Sequence, residues 1–344
     1  MSQYLGKRRG FSRVIPLLLM LITFLAYRTM LAPLFAMMAD PRVKDGPPSP
    51  TWEYTGYAGL DATLSMLVNF FLSSFENGRF AMMPEFIACV GPAIVVPTIE
   101  MRRSGYRAPV VSAFMLALGY LYQSCGGAGL ILPLWWALFL LLSGGETAPL
   151  HPAYAKATLV GYFLGYVATS MAMTIYQTPK AIAIWQFFPA HVLLTQALAL
   201  MIQFPIAEKD SGSSHKALQT IHTFNFAWSG VTHAYTLFQA STSASPLDSL
   251  MDSYVPSYSS APVGFVEAVS QAFCKWDHVY ITAVTLFVGL WYLRGAKQRL
   301  LAFGSFVLAS LLFGTGAGLS GVWMFREKQL EKSKKVPTPR LKQS

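Results

Sequence analysis

Titratable side chains lodged in segments otherwise built for hydrocarbon are the residues best placed to do chemistry in this chain. Burying an ionisable group there costs several kcal/mol, so each one needs a cavity, a partner or a function. Asp61, Ser65 and Asn69 recur at four-residue steps, and Glu53 and Tyr57 extend the series upstream, giving a slowly winding polar stripe on an apolar helix. The stripe either presents Asp61 as a proton-transferring acid beside substrate contacts from Glu53, Tyr57 and Asn69, or it knits helices together by hydrogen bonds. Glu85 directly follows Pro84, a placement that suits a helix N-terminus, where the dipole favours a carboxylate. Glu100 precedes Arg103 by three residues, the spacing of an ion pair on one helix face. Beside those readings, Glu85 and Glu100 join Asp61 as the candidate acids, one of which would protonate a substrate in a shared cavity. The two glutamates lie about 22 Å apart along an ideal helix, too far for a close carboxylate pair.

A second stripe runs through His222, Asn225, Ser229, Thr232 and Thr236, at spacings of three, four, three and four. His233, eleven residues after His222, returns to nearly the same angular position. Such a seam lines a cavity or binds two helices, with His222 and His233 as proton acceptors in the first case and Asn225 and Trp228 as substrate contacts. His191 follows Pro189, whose ring frees a backbone carbonyl and can kink a helix open or leave the histidine satisfied by that carbonyl. The run Lys275-Trp-Asp-His-Val-Tyr280 places Asp277 at the mouth of a span, as a proton acceptor or an interface anchor, between Trp276 and His278 as further substrate contacts. Arg28, inside the first span, orients a phenolic substrate or snorkels to the interface.

These side chains need a bundle of membrane helices to position them. Of 344 residues 53% are hydrophobic and only 12% charged, and the mean hydropathy is +0.42, which a water-soluble domain could hardly sustain. Crossing the hydrocarbon takes about twenty apolar residues. Stretches of that kind lie near Ile15–Met38, Ala58–Phe75, Ala81–Ile99, Lys156–Tyr176, Ala181–Phe204, Ala217–Phe238, Val279–Leu293 and Leu301–Phe325. Val110–Ser143 is long enough for two short spans or one broken helix. The expected fold is therefore all-α, a polytopic bundle of about eight to ten spans over residues 1–325. A polar extramembrane loop at 239–277, a connector or lid, interrupts it, and a basic, disordered tail follows at 326–344. That tail is expected to stay cytoplasmic, with the first span a retained anchor.

The net charge of +10 is accounted for by basic flanks beside the spans, which argues against a nucleic-acid partner. Three cysteines, Cys89, Cys125 and Cys274, imply no disulfide framework and have no metal-ligand spacing. A Gly-rich phosphate loop, His-Glu-x-x-His, Gly-x-Ser-x-Gly and the aspartate-rich motifs of soluble terpene synthases are all missing, so neither a metal nor a cofactor is expected. Asp248 and Asp252 read as solvated loop residues.

A cavity walled by this chain's 24 Phe, 16 Tyr and 8 Trp and holding a few carboxyl groups has a recognisable chemistry. A carboxyl desolvated among rings keeps its proton near neutrality and can give it to an epoxide or alkene. The ring faces then stabilise the carbocation, and a dry interior protects it. The segment Pro97-Thr-Ile-Glu-Met-Arg-Arg103, the Trp52-Glu-Tyr opening and Trp276-Asp-His278 resemble the fungal membrane-bound terpene cyclases of meroterpenoid biosynthesis, of the ascofuranone and ascochlorin type. The resemblance implies a metal-independent isomerase or lyase of secondary metabolism that cyclises a farnesyl-type chain on an aromatic polyketide, or its epoxide. Its partners would be the lipid bilayer, of the endoplasmic reticulum, and a small prenylated aryl substrate. The rival expectation is a transporter or channel for a small amphiphile, in which the same stripes line a path.

Overall fold

The computed structural model describes residues 14–39, 51–75, 82–103, 127–143, 150–203, 213–256, 265–293 and 295–335, and among them there is no strand. The helices in chain order are α1 (Val14–Ala26), α2 (Ala32–Ala39), α3 (Ala58–Phe75), α4 (Met83–Arg103), α5 (Ala128–Ser143), α6 (Pro152–Gly161) and α7 (Ala168–Tyr176). They continue with α8 (Pro179–Gln186), α9 (Phe188–Gln203), α10 (Ser213–Ser241), α11 (Pro246–Tyr254), α12 (Phe265–Tyr292), α13 (Ala296–Phe313) and α14 (Thr315–Lys335). Wider π-helical turns join α1 to α2 at Tyr27–Leu31 and α6 to α7 at Tyr162–Val167.

The all-α membrane bundle expected from composition is the observed fold. Five helical stretches among the described residues are long and apolar enough to cross a bilayer, and six if the bent pair α8 and α9 counts as one. That pair turns by 58° at Phe187, just before Pro189, which cannot donate the hydrogen bond that would continue the helix. Helices α10, α12 and α14 are as long but carry more polar residues, among which Asn225, Ser229, Lys275, Asp277, Arg326 and Glu327 lie buried inside the protein.

Helix α4 is the axis of the bundle, packed against α5, α6, α10, α12 and α14, and 94% of its most apolar window is buried. Pro92 and Pro97 lie within it, so the carbonyls of Ala88 and Ala93 lose their usual i+4 donors. One turn of the same helix is tied sideways, where the Tyr166 hydroxyl donates to the Ile87 carbonyl at 2.5 Å. Only 6% of the corresponding window of α13 is buried, and Leu300, Leu308, Leu311 and Leu312 point outward, as lipid-facing residues do.

Three expectations are corrected. The stretch Leu301–Phe325 is two helices, because Gly314 sits at a φ of +82°, a backbone conformation that breaks the run. Beyond it, α14 continues to Lys335 with Arg326 at 2% exposure, so the basic segment after 325 begins as packed helix, held by carboxylates inside the bundle. Finally, the polar stretch 239–277 is largely helical: α11 occupies part of it, and α12 starts at Phe265, well before Val279. Polar side chains on that first half of α12 face the interior, and a hydropathy reading cannot tell such a face from solvent. Of the Val110–Ser143 stretch, Ala128–Ser143 forms one helix; 104–126, and Cys125 with it, lie outside the described residues.

Candidate functional site

Helix α4 carries Glu85 in its first turn, fully buried, and α10 carries His233 opposite it. Glu85 Oε1 lies 3.0 Å from His233 Nδ1, and the Tyr254 hydroxyl, from the end of α11, donates to Glu85 Oε2 at 2.6 Å. The same hydroxyl is 3.1 Å from His233 Nδ1. On its far side, His233 Nε2 is 3.3 Å from the carbonyl oxygen of Leu311 in the last turn of α13.

This arrangement defines where protons sit. A carbonyl only accepts, so Nε2 carries a hydrogen and donates to Leu311. The next proton belongs to the short line between Nδ1 and Oε1. On nitrogen it makes an imidazolium beside a carboxylate; on oxygen, a neutral pair in which the acid donates to Nδ1. Both states keep the same hydrogen bonds, including that from Tyr254, so one proton is held jointly by two side chains. Burial, and after it the Glu85 carboxylate, push the Tyr254 phenol up, so it remains a donor at neutral pH. Tyr254 is also the least buried of the three, and therefore the member nearest to any incoming molecule.

Glycine at 314 makes the approach possible. A Cβ there would stand 2.9 Å from Glu85 Oε1 and 3.1 Å from His233 Cβ. Its neighbours complete the rim: Ser229 Oγ donates to the Phe313 carbonyl at 3.0 Å, and Thr315 Oγ1 lies 2.5 Å from His278 Nε2. The His278 ring is tilted over Phe86, and its Nδ1 has no partner among the described residues.

The remaining candidates separate by role. Asp61 accepts from the Thr55 amide and hydroxyl, each at 2.8 Å, and from the Gly56 amide at 3.0 Å, while Ser65 Oγ accepts from the Trp52 amide at 2.9 Å. The stripe on α3 is thus a clasp for residues 52–56, and none of these bonds joins Asp61 to Glu85. Glu53 and Tyr57 are exposed, and Asn69 is half-buried on α3. Glu100 is locked by Arg326 at 2.6 and 2.7 Å and by Arg103 at 2.9 Å, and Arg103 also reaches Glu327 at 2.5 Å. Among the described residues, the three carboxylates Asp61, Glu85 and Glu100 share none of these partners and do not converge. His222 is buried beside the Glu100 cluster, not beside Glu85, and its Nδ1 has no partner among the described residues. Asp277 accepts from the Gly129 amide and so caps α5 from a neighbouring helix, buried in the middle of α12. Arg28 is exposed on its π-helical turn.

Asn225 accepts a hydrogen bond from Tyr162, and both press against Gly91, where a Cβ would meet the two oxygens at 2.8 and 2.6 Å. Trp228 packs at a tilt between Phe224 and Tyr166, within a ring chain that continues through Phe188, Trp185 and Phe71. Trp276 stacks on Tyr280. His191 is half-buried past the α8–α9 bend, and its Nδ1 finds no partner among the described residues, so the carbonyl freed by Pro189 does not satisfy that atom. Tyr254 and Tyr162 were not among the candidates; Pro246 at the start of a short amphipathic segment was the available signal for α11. Among the described residues no three His, Cys, Asp or Glu side chains are grouped to hold a metal ion.

Comparison with known proteins places the chain in a family. Over 142 residues the chain is 33% identical to "Terpene cyclase ascI" of Acremonium egyptiacum, a match covering 39% of this chain and 36% of that protein. The match thus spans about a third of that relative's length. No solved structure matches. A family model of the CtvD domain matches residues 44–330, and with Glu85, His233 and Tyr254 all inside the matched region, which takes in most of the chain, this protein belongs to the CtvD domain family.

Proposed function

We propose that the protein is a membrane-bound terpene cyclase that opens and cyclises the farnesyl-type chain of a prenylated aromatic polyketide, or its epoxide, without a metal. The observation that carries the reading is the buried Glu85–His233–Tyr254 network with its single shared proton. Similarity to a terpene cyclase supports it. Tyr254, the outermost donor, protonates the epoxide oxygen as its own O–H bond breaks, and the Glu85–His233 pair returns a proton to the phenolate. The C–O bond opens, the alkenes of the chain close onto the cation, and ring faces such as Phe86 and Trp228 stabilise the charge. His278, beside Glu85 and with Nδ1 unengaged among the described residues, takes the proton lost from carbon and passes it back. No atom is gained or lost, so the product is an isomer. The endoplasmic reticulum is the membrane we assign.

The test is direct. Microsomes carrying the chain, supplied with a farnesylated-aryl epoxide, should yield a cyclic product of unchanged mass by liquid chromatography and mass spectrometry. A diol heavier by one water, or uptake of the epoxide into sealed vesicles without conversion, would refute the reading.

A further inference from the structure

At the opposite end of α4 from Glu85, one cation has no counter-charge among the described residues. Arg103 and Arg326 are neutralised by Glu100 and Glu327, but Arg102, 8% exposed, forms no ion pair among the described residues. Its Nη2 donates to Gln196 Oε1 of α9 at 2.7 Å, and its guanidinium lies 5.1 Å over the ring of Tyr154 of α6. Its Nη1 is buried with no acceptor among the described residues.

A buried guanidinium held on one nitrogen, stacked on its flat face and left open on the other nitrogen is costly for the empty protein, because a charge out of water must be paired. The cost is explained if a ligand completes the set. The fork of Arg presents paired N–H groups to an oxyanion, and a neutral amide and a ring hold it in place without competing for that charge. Residues 85 and 102 stand about 26 Å apart along an ideal helix, so this position is separate from the Glu85 network.

We propose that Arg102, positioned by Gln196 and Tyr154, is a binding site for the anionic oxygen of a membrane amphiphile, a carboxylate or a phosphate. Two sources share that chemistry. One is the acidic head of an aryl-prenyl substrate, in which case the site anchors the head while the chain runs toward Glu85, and the inference then rests on the proposed function. The other is the phosphate of a lipid, which does not depend on that function.

The experiment uses the full chain in dodecyl maltoside, a detergent without phosphate or carboxylate, and follows thermal shift and intrinsic tryptophan fluorescence on titration with two probes, 3-farnesyl-4-hydroxybenzoate and phosphatidate. Wild type should bind one of them, and Arg102→Met should bind it about tenfold or more weakly, as expected for loss of a charge-assisted hydrogen bond. Gln196→Leu should fall between. Binding of the benzoate alone identifies the substrate head, and binding of phosphatidate alone identifies a lipid site, whether or not the protein turns over an epoxide. Equal affinities in wild type and Arg102→Met, or no binding of either probe to wild type, would each overturn the proposal.

Discussion

Replacing Glu85 by Gln isolates the shared proton from every other property of the site. The amide is nearly the same size, and the network can accommodate it: its oxygen accepts from Tyr254, and its NH₂ donates to a neutral His233 Nδ1, while Nε2 still donates to Leu311. No buried polar atom is orphaned, so the variant should fold. Glu85→Ala, by contrast, opens a cavity and leaves the Tyr254 hydroxyl and His233 Nδ1 only each other at 3.1 Å, and should be less stable by about 1–3 kcal/mol. What Gln cannot do is hold an acidic proton. A positioned general acid contributes roughly 10²- to 10⁴-fold, so Glu85→Gln should lose turnover by that factor while melting within a few degrees of wild type. The assay is the microsomal isomerisation above, normalised to folded protein by fluorescence-detected size exclusion. Turnover within about threefold of wild type, a barrier change well under 1 kcal/mol, would show that the network is structural and end the argument.

Tyr254→Phe should cost nearly as much as Glu85→Gln, and the double variant little more than either, because parts of one relay fail together; additive losses in single-turnover rates would separate them. Glu100→Gln leaves Arg103 and Arg326 short of charge and should destabilise by about 3–5 kcal/mol, seen as poor expression and a lower melting temperature, with the rate per folded molecule unchanged. Asp277→Leu removes the acceptor for the Gly129 amide and should cost about 0.5–2 kcal/mol in stability, whereas Asp277→Asn keeps an acceptor oxygen and should be mild. Gly91→Ala forces a methyl against the Tyr162 and Asn225 oxygens and should destabilise by about 1–3 kcal/mol, read by thermal melting.

Helix α3 was legible to the residue, Ala58–Phe75, because its apolar run is bounded by turn chemistry on one side and charge on the other. The break at Gly314 was not, since Gly314-Thr-Gly-Ala-Gly318 has the composition of a close-packing stripe as well as that of a turn. Single residues with a reason to be unusual were readable in the same uneven way. Glu85 and His233 each stood out as polar groups in apolar runs, yet their pairing depends on the register of α4 against α10, which no local pattern encodes. The Glu100–Arg103 contact was readable at spacing three, while the stronger bidentate partner, Arg326, is over two hundred residues away in a segment whose charge suggested solvent. Tyr254 escaped notice because a nine-residue helix in a Ser- and Pro-rich stretch looks like a connector.

Helix α14 is the last of the described helices in chain order and one of the most central in space, packed on α10, α12, α13 and α4. During synthesis the ribosome therefore delivers the carboxylate at position 100 long before the guanidinium that neutralises it. Until Arg326 arrives, the nascent bundle holds an incompletely compensated acid in its interior. Truncation upstream of residue 326 should thus be read by the cell as an unfinished membrane protein, even though every residue of the Glu85 network has already been made.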